Sequence, residues 1–141
     1  TKAIRAGISA ISNRGKLRFM LYEKNFNSKV FIEFLKRLLH NQSQPITLIV
    51  DGHSSHFTKK VKAYVTSTKG KLKIYALPSY SPELNPDELV WNNAKQKVAK
   101  RKYTKTGKTF KGTVLQIMKE IQTNTKLCKA FFSEPNVAYA M

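Results

Sequence analysis

Two short apolar runs separated by one helical segment constrain the fold of this chain more than any other feature of its sequence. Ile46–Val50 is a continuous run of β-branched residues and leucine, and residues 72–77 form a second apolar run, LKIYAL. Between them, residues 58–66 repeat apolar side chains at spacings of three and four, which is typical of a helix. A strand, a helix and a strand in this order predict a parallel pair with a crossover helix. Because parallel strands are usually covered on both faces, we expect an α/β fold.

The segments on either side of this unit add a hairpin and further helices. Residues 4–11 and 17–23 flank a turn at Asn13-Arg14-Gly15, so they predict two antiparallel strands. Helices are predicted at residues 28–41, 85–102 and 113–124, with a short fifth at 126–132. The order β-β-α-β-α-β-α-α predicts a mixed sheet flanked by helices. We expect residues 1–102 to form the α/β domain and residues 103–141 to form a Lys/Thr-rich connector and C-terminal helices.

Charge and cysteine content restrict what such a fold can do. Lys and Arg number 26 against 8 acidic residues, a net charge of +18, so we expect a polyanion partner, most simply nucleic acid. The single cysteine, Cys128, excludes an internal disulfide framework and a four-cysteine zinc site. The single cysteine also fits a reducing compartment. No apolar run is long enough to span a membrane, and no signal-peptide pattern is recognisable at the start. The chain begins without methionine, inside a strand-like stretch, which favours a fragment.

Acidic residues are rare in this chain, and two of them follow the predicted core strands. Asp51 comes directly after Ile46–Val50, and Glu88 lies in the first turn of the helix that follows the next strand. This topology can bring both to one edge of the sheet, where α/β proteins present functional groups. Carboxylates facing bound DNA suit Mg²⁺ or Mn²⁺, which prefer oxygen ligands. Two alternatives stay open: Asp51 as a turn residue before Gly52, and Glu88 as the partner of Asn85 in a capping box.

The sequence around these two acids contains two distinctive tracts. The first is Val50-Asp51-Gly52-His53 with His56 after it, and the second is residues 78–91, PSYSPELNPDELVW. Together they resemble the IS630 family of bacterial transposases, which belong with the Tc1/mariner group of DDE transposases. The second tract is the more specific, because its tyrosine-serine-proline and leucine-asparagine-proline steps are rarely combined by chance. The resemblance extends from the hairpin to about Lys102.

The resemblance implies an RNase H-like fold: a five-stranded mixed sheet flanked by helices, of which this chain would lack the first strand. By motif position, Asp51 matches the family's second catalytic acid and Glu88 the third, with 36 residues between them. Asp87 matches no catalytic position, and the first aspartate has no counterpart here. The family's acids hold two Mg²⁺ or Mn²⁺ ions, so we expect an incomplete metal site and negligible activity from this chain alone.

The resemblance also implies a reaction and a setting. Such transposases cleave phosphodiester bonds at the ends of an insertion sequence and transfer the strands to target DNA, typically at TA. We therefore expect DNA as the partner, a homodimer in the full protein, no membrane, and a bacterial, nucleoid-associated location. The alternative is a non-enzymatic basic DNA-binding remnant of the same fold. An aspartate-bearing strand upstream in the gene would favour the enzyme.

Six further residues are candidates for DNA contacts or for support of the catalytic acids. The histidine resembles one that the family carries after the second acid, and a loop histidine packed at the helix start is the alternative. The lysines suit phosphate contacts, with a solvated helix face as the alternative. The tyrosine either touches DNA or pins its loop. The six residues are His56, Lys59, Lys60, Tyr80, Asn85 and Lys95.

Overall fold

The computed structural model describes residues 7–22, 25–50, 56–77, 85–100 and 110–133. Its strands are β1 (Gly7–Ile11), β2 (Leu17–Leu21), β3 (Ile46–Val50) and β4 (Leu72–Ala76). Its helices are α1 (Ser28–Leu39), α2 (Lys59–Ser67), α3 (Pro86–Lys100), α4 (Phe110–Thr123) and α5 (Thr125–Ala130), with a 3₁₀ turn at Phe131–Ser133. This order confirms the predicted one.

The chain divides into two compact units. The hairpin unit comprises Thr1–Glu23 and Pro86–Met141, and the crossover unit comprises Lys24–Asn85. In the crossover unit, β3 and β4 pair in parallel, with Ile46 opposite Leu72 and Val50 opposite Ala76. The parallel pair predicted from the two apolar runs is therefore confirmed.

Side-chain caps fix where both helices of the crossover unit begin. Asn27 Oδ1 accepts the backbone N–H of Val30 at 2.9 Å, and Thr58 Oγ1 accepts that of Val61 at 3.3 Å. A 2.8 Å hydrogen bond between Ser28 Oγ and Thr58 Oγ1 joins the two helix starts. Such caps satisfy amides that have no partner inside the helix. They hold the first turn of α2 beside that of α1.

The two faces of the β3–β4 pair are covered differently. Ile49 is 41% exposed, and its register partner Tyr75 is 55% exposed. The cover expected on this face of a parallel pair is therefore not supplied by the described residues. The apolar core of the crossover unit contains Phe31, Phe34, Leu35, Leu38, Val50, Val61, Leu72 and Leu77.

The hairpin unit is built on an antiparallel pair against which helices pack. β1 and β2 pair from Gly7 opposite Leu21 to Ile11 opposite Leu17. Gln122 Nε2, near the end of α4, donates to the backbone oxygen of Leu17 at 2.8 Å. One core joins α3, α4, α5 and β2: Leu17, Val90, Ala94, Val98, Val114, Ile117, Met118, Ile121, Cys128 and Phe131. The C-terminal helices thus share a core with the hairpin, while the domain boundary at residue 102 stays a prediction.

No helix in the described ranges is long and apolar enough to cross a membrane.

The thiol of Cys128 offers a simple check on this core. Its side chain is fully buried, and Sγ donates to the backbone oxygen of Ile121 at 3.3 Å. Burial raises the pKa of the Cys128 thiol, so the reactive thiolate is scarcer at neutral pH than in the unfolded chain. We expect a thiol reagent to modify the native protein at least about 10²-fold more slowly than the urea-unfolded protein. Equal rates would show that the core of α4 and α5 is open.

The turn between β1 and β2 rests on α5 through a glycine. Gly15 has φ +82°, the left-handed region that favours glycine. A Cβ added there would lie 2.8 Å from the backbone oxygen of Thr125 and 3.0 Å from Cγ of Lys129. Gly70 has a similar φ of +87°, but an added Cβ would meet nothing within 4 Å. Alanine at either position has the cost of the left-handed backbone angle, but only alanine at Gly15 also has the cost of the contact with α5. Comparing the two substitutions therefore separates these costs.

We expect Gly70→Ala to lower the free energy of unfolding by about 1 kcal/mol, the cost of a left-handed alanine. Gly15→Ala carries the same cost and must also displace the hairpin turn from Thr125, so we expect a loss of about 2–4 kcal/mol. Urea titrations of the two variants measure the difference. Equal losses would mean that the turn does not rest on α5.

Candidate active site

The structure describes Glu88 directly but not its predicted partner. Asp51 and Tyr80 lie outside the described residues, so the predicted proximity of Asp51 and Glu88 stays a prediction. The described neighbours of the Asp51 loop are well tied, since the backbone oxygen of Val50 accepts the N–H of Leu77 at 2.7 Å. The carboxyl ends of β3 and β4 therefore lie side by side.

Glu88 occupies the first turn of α3 and is exposed. Its carboxylate makes no hydrogen bond or ion pair within the described part of the chain. The capping-box bond to the backbone of Asn85, left open as an alternative, is therefore not formed. An exposed carboxylate without an internal partner keeps its oxygens available to a cation.

Asp87, one residue earlier, has a different environment. Its Oδ1 accepts a hydrogen bond from Ser9 Oγ at 2.5 Å. This bond joins the first turn of α3 to β1, across 78 positions of sequence. A carboxylate at this position also suits the positive end of the helix dipole. Asp87 is thus a structural acid that fixes the place of its neighbour Glu88.

A glycine and a tryptophan make the second attachment of α3 to β1. Gly7 has no side chain, and a Cβ there would overlap the ring of Trp91 and lie 3.2 Å from Cδ2 of Leu21. The ring therefore lies directly on the strand. Sequence reasoning did not identify Gly7 as the counterpart of Trp91 or Ser9 as that of Asp87, because residues so distant in sequence carry no shared pattern.

The exposed side of α3 carries a lysine beside the acid. Val90, Ala94 and Val98 are buried, whereas Glu88 and Lys95 are exposed. Seven positions along a helix correspond to about 10 Å and to nearly two whole turns. Glu88 and Lys95 therefore share one exposed stripe. An extended anionic ligand lying along this stripe could meet both side chains.

His56 lies in an aromatic cluster of the crossover unit. Its ring centroid is 4.6 Å from that of Phe31 and 5.4 Å from that of Phe26, and the residue is buried. This is the packed position at the helix start that the sequence left as an alternative. A direct DNA contact would require the imidazole to leave the cluster, whereas support of the Asp51 loop would not.

Lys59 and Lys60 form the first turn of α2, after the cap Thr58. Both lysines are exposed, and α2 has no acidic residue in its first turn. Cations at the positive end of a helix are unfavourable without an anion nearby. The predicted phosphate contacts of Lys59 and Lys60 stay a prediction. Asn85 is half-buried just before α3.

Within the described residues, no group of three or more His, Cys, Asp or Glu side chains is placed to hold a metal ion.

Comparisons with known proteins bear on the family and the fold of the chain. Residues 6–111 match the family model described as DDE superfamily endonuclease. The fold is similar to the catalytic core domain of BIV integrase, with a TM-score of 0.58 and 11% identity over 79% of this chain and 71% of that one. It is also similar to the catalytic domain of Mos1 mariner transposase, with a TM-score of 0.51 and 12% identity over 90% and 82%. These likenesses confirm the predicted RNase H-like fold class. No curated protein sequence matches the chain.

Proposed function

Because the chain belongs to the DDE superfamily endonucleases, we propose that it is the catalytic-domain part of a DNA transposase. It cleaves phosphodiester bonds at the ends of a mobile element and joins those ends to target DNA. The observation that carries this proposal is the exposed carboxylate of Glu88, which has no partner among the described residues and lies on a helix attached twice to β1. The Mos1 similarity and the motif of residues 78–91 favour the Tc1/mariner group and, within it, the IS630 family.

Asp51 and Glu88 are the proposed catalytic acids and ligands of divalent metal. The donor chemistry fits, since carboxylate oxygens suit Mg²⁺ and Mn²⁺ and Glu88 has no internal partner to give up. When bound, such ions stabilise the charge on the attacking and leaving oxygens of a phosphodiester. Two carboxylates are a small ligand set for two ions, so this chain alone binds metal weakly and cleaves DNA very slowly.

Three exposed lysines are proposed DNA contacts. Lys59 and Lys60 at the start of α2, and Lys95 on the exposed stripe of α3, each suit a phosphate of the DNA backbone. His56 supports the loop that carries Asp51 from its position among the phenylalanines. Asn85 and Tyr80 are further proposed candidates for DNA contacts or for support of the catalytic acids. In this proposal the full protein is a homodimer in the bacterial cytoplasm. Its target DNA contains TA.

A second candidate is a DNA-binding remnant without chemistry. It is favoured by the net charge of +18, which suits DNA binding whether or not the chain is catalytic. Both candidates bind DNA, so binding does not distinguish them.

Mn²⁺-dependent nicking of supercoiled DNA is the test. We compare the 141-residue chain with a longer chain that adds an upstream strand bearing an aspartate. Nicking by the longer chain alone supports the transposase. DNA binding without nicking by either chain supports the remnant.

A further inference from the structure

We propose that the tip of the β1–β2 hairpin and the adjoining face of α5 form a second surface for the DNA backbone. Its members are four exposed cations: Arg14, Lys16, Lys126 and Lys129. The inference rests on the proposed function for the identity of the polyanion. It adds a contact region that neither the sequence motifs nor the acids of α3 require.

The hairpin tip is held rigidly by its own hydrogen bonds. The N–H of Ser12 donates to the oxygen of Lys16, and the N–H of Gly15 donates to the oxygen of Ser12, both at 2.9 Å. Ser12 Oγ also accepts the backbone N–H of Lys16 at 3.2 Å. Arg14 and Lys16 therefore project from fixed backbone positions on either side of a buried Gly15.

Gly15 brings the two halves of this surface together. It lies against Thr125 and against Cγ of Lys129 in α5. Lys126 and Lys129 are three positions apart, which makes them neighbours on the helix surface. Asn124 fixes the start of α5 by accepting the N–H of Leu127 at 3.0 Å. Two chain segments more than 100 positions apart thus present their cations side by side.

The four cations of this surface have no acidic partner among the described residues. None of the four cations forms an ion pair in the described part of the chain. The ion pair that is found there, Arg37–Glu33, lies in the crossover unit. Residues 7–22 and 124–133 contain no described acid. Like charges held close together repel, so the arrangement favours an anionic partner.

The composition of the surface favours a nucleic-acid backbone over a membrane. The large exposed apolar residues of the described chain are Ile49, Tyr75 and Leu115, and none belongs to the hairpin tip or to α5. A surface without an apolar wedge is poorly suited to insertion among lipids. Fixed Lys and Arg side chains suit phosphates of duplex DNA irrespective of base sequence.

The surface lies away from the acid of α3. Asp87 contacts Ser9 in the middle of β1, whereas Arg14 and Lys16 lie beyond the end of this strand at Ile11, two residues of extended chain or about 7 Å further along. A duplex that reaches Glu88 therefore has to extend by several base pairs before it meets the tip. Short DNA should lose this contact.

The test compares two triple variants of the 141-residue chain that remove equal charge. The tip variant is Lys16→Gln, Lys126→Gln and Lys129→Gln, in which glutamine keeps the Cγ that packs on Gly15. The control variant is Lys69→Gln, Lys71→Gln and Lys73→Gln, which are exposed lysines of the crossover unit. Thermal unfolding of both checks that the fold is kept. Binding to a 30-base-pair duplex is measured as a function of salt.

We expect the tip variant to bind about 10-fold more weakly at 0.1 M salt, with a salt slope less negative by about 2.7, since each of the three lost phosphate contacts contributes about 0.9 to the slope. The control variant should stay within about 2-fold of the unsubstituted chain. Equal slopes for both variants, or a tip variant that binds like the unsubstituted chain, would overturn the inference. Neither result would affect the proposed function, which the nicking assay tests through the acids. An unsubstituted chain that does not bind DNA would overturn both.

Discussion

Replacing Glu88 with glutamine should abolish metal-dependent nicking while leaving the fold intact. In the longer chain that carries an upstream aspartate, we expect Glu88→Gln to lower the nicking rate by about 10³-fold or more. The loss corresponds to roughly 4 kcal/mol of transition-state stabilisation by a metal held at this carboxylate. Stability should change little, because Glu88 is exposed and makes no hydrogen bond or ion pair in the described chain.

The adjacent acid provides the matched control. Asp87→Ala removes the acceptor of the Ser9 hydroxyl, so we expect a loss of about 2 kcal/mol in the free energy of unfolding. Nicking per folded molecule should stay within about 10-fold, a barrier change near 1.4 kcal/mol. If Glu88→Gln lowers nicking but not stability, and Asp87→Ala lowers stability but hardly nicking, then Glu88 acts in the chemistry and Asp87 in the attachment of α3. Wild-type nicking by Glu88→Gln would remove Glu88 from the site and revive a purely structural role.

A side chain at position 7 should destabilise the hairpin unit strongly. Valine favours strands, yet Gly7→Val places its side chain where the Trp91 ring lies. We expect a loss of about 3 kcal/mol, the cost of overpacking at a site without free space. Because α3 carries Glu88, nicking should fall as well. Urea unfolding measures the first effect and the plasmid assay the second.

A double-mutant cycle shows whether the ring is the cause. Trp91→Leu alone removes packing and costs stability, but in its presence Gly7→Val should cost at least about 1.5 kcal/mol less than it does beside tryptophan. Additive effects would mean that Gly7 is required for a reason other than the ring.

The crossover unit was predictable because its information is local. The apolar run Ile46–Val50 and the helical spacing of the segment after it are each recognisable within a dozen residues. A strand-helix-strand order then leaves few possible topologies. The N-cap of α1 at Asn27 follows the same local rule.

The attachments of α3 were not predictable in this way. Ser9 and Asp87 are 78 positions apart, and Gly7 and Trp91 are 84 apart. A short window of sequence contains only one member of each pair, so neither contact can be recognised from local sequence. At Glu88 the local pattern of a capping box was present, yet the side chain faces solvent instead. The role of Asp51 rests on the resemblance and stays a prediction.

The contact of Trp91 with Gly7 has an optical consequence. Trp91 is the sole tryptophan of the chain, and its half-buried ring rests on β1 beside Leu21. Its fluorescence therefore reports the environment of one helix and nothing else. A shift of the emission maximum on adding DNA or Mn²⁺ would register displacement of the helix that carries Glu88, in real time and without a label.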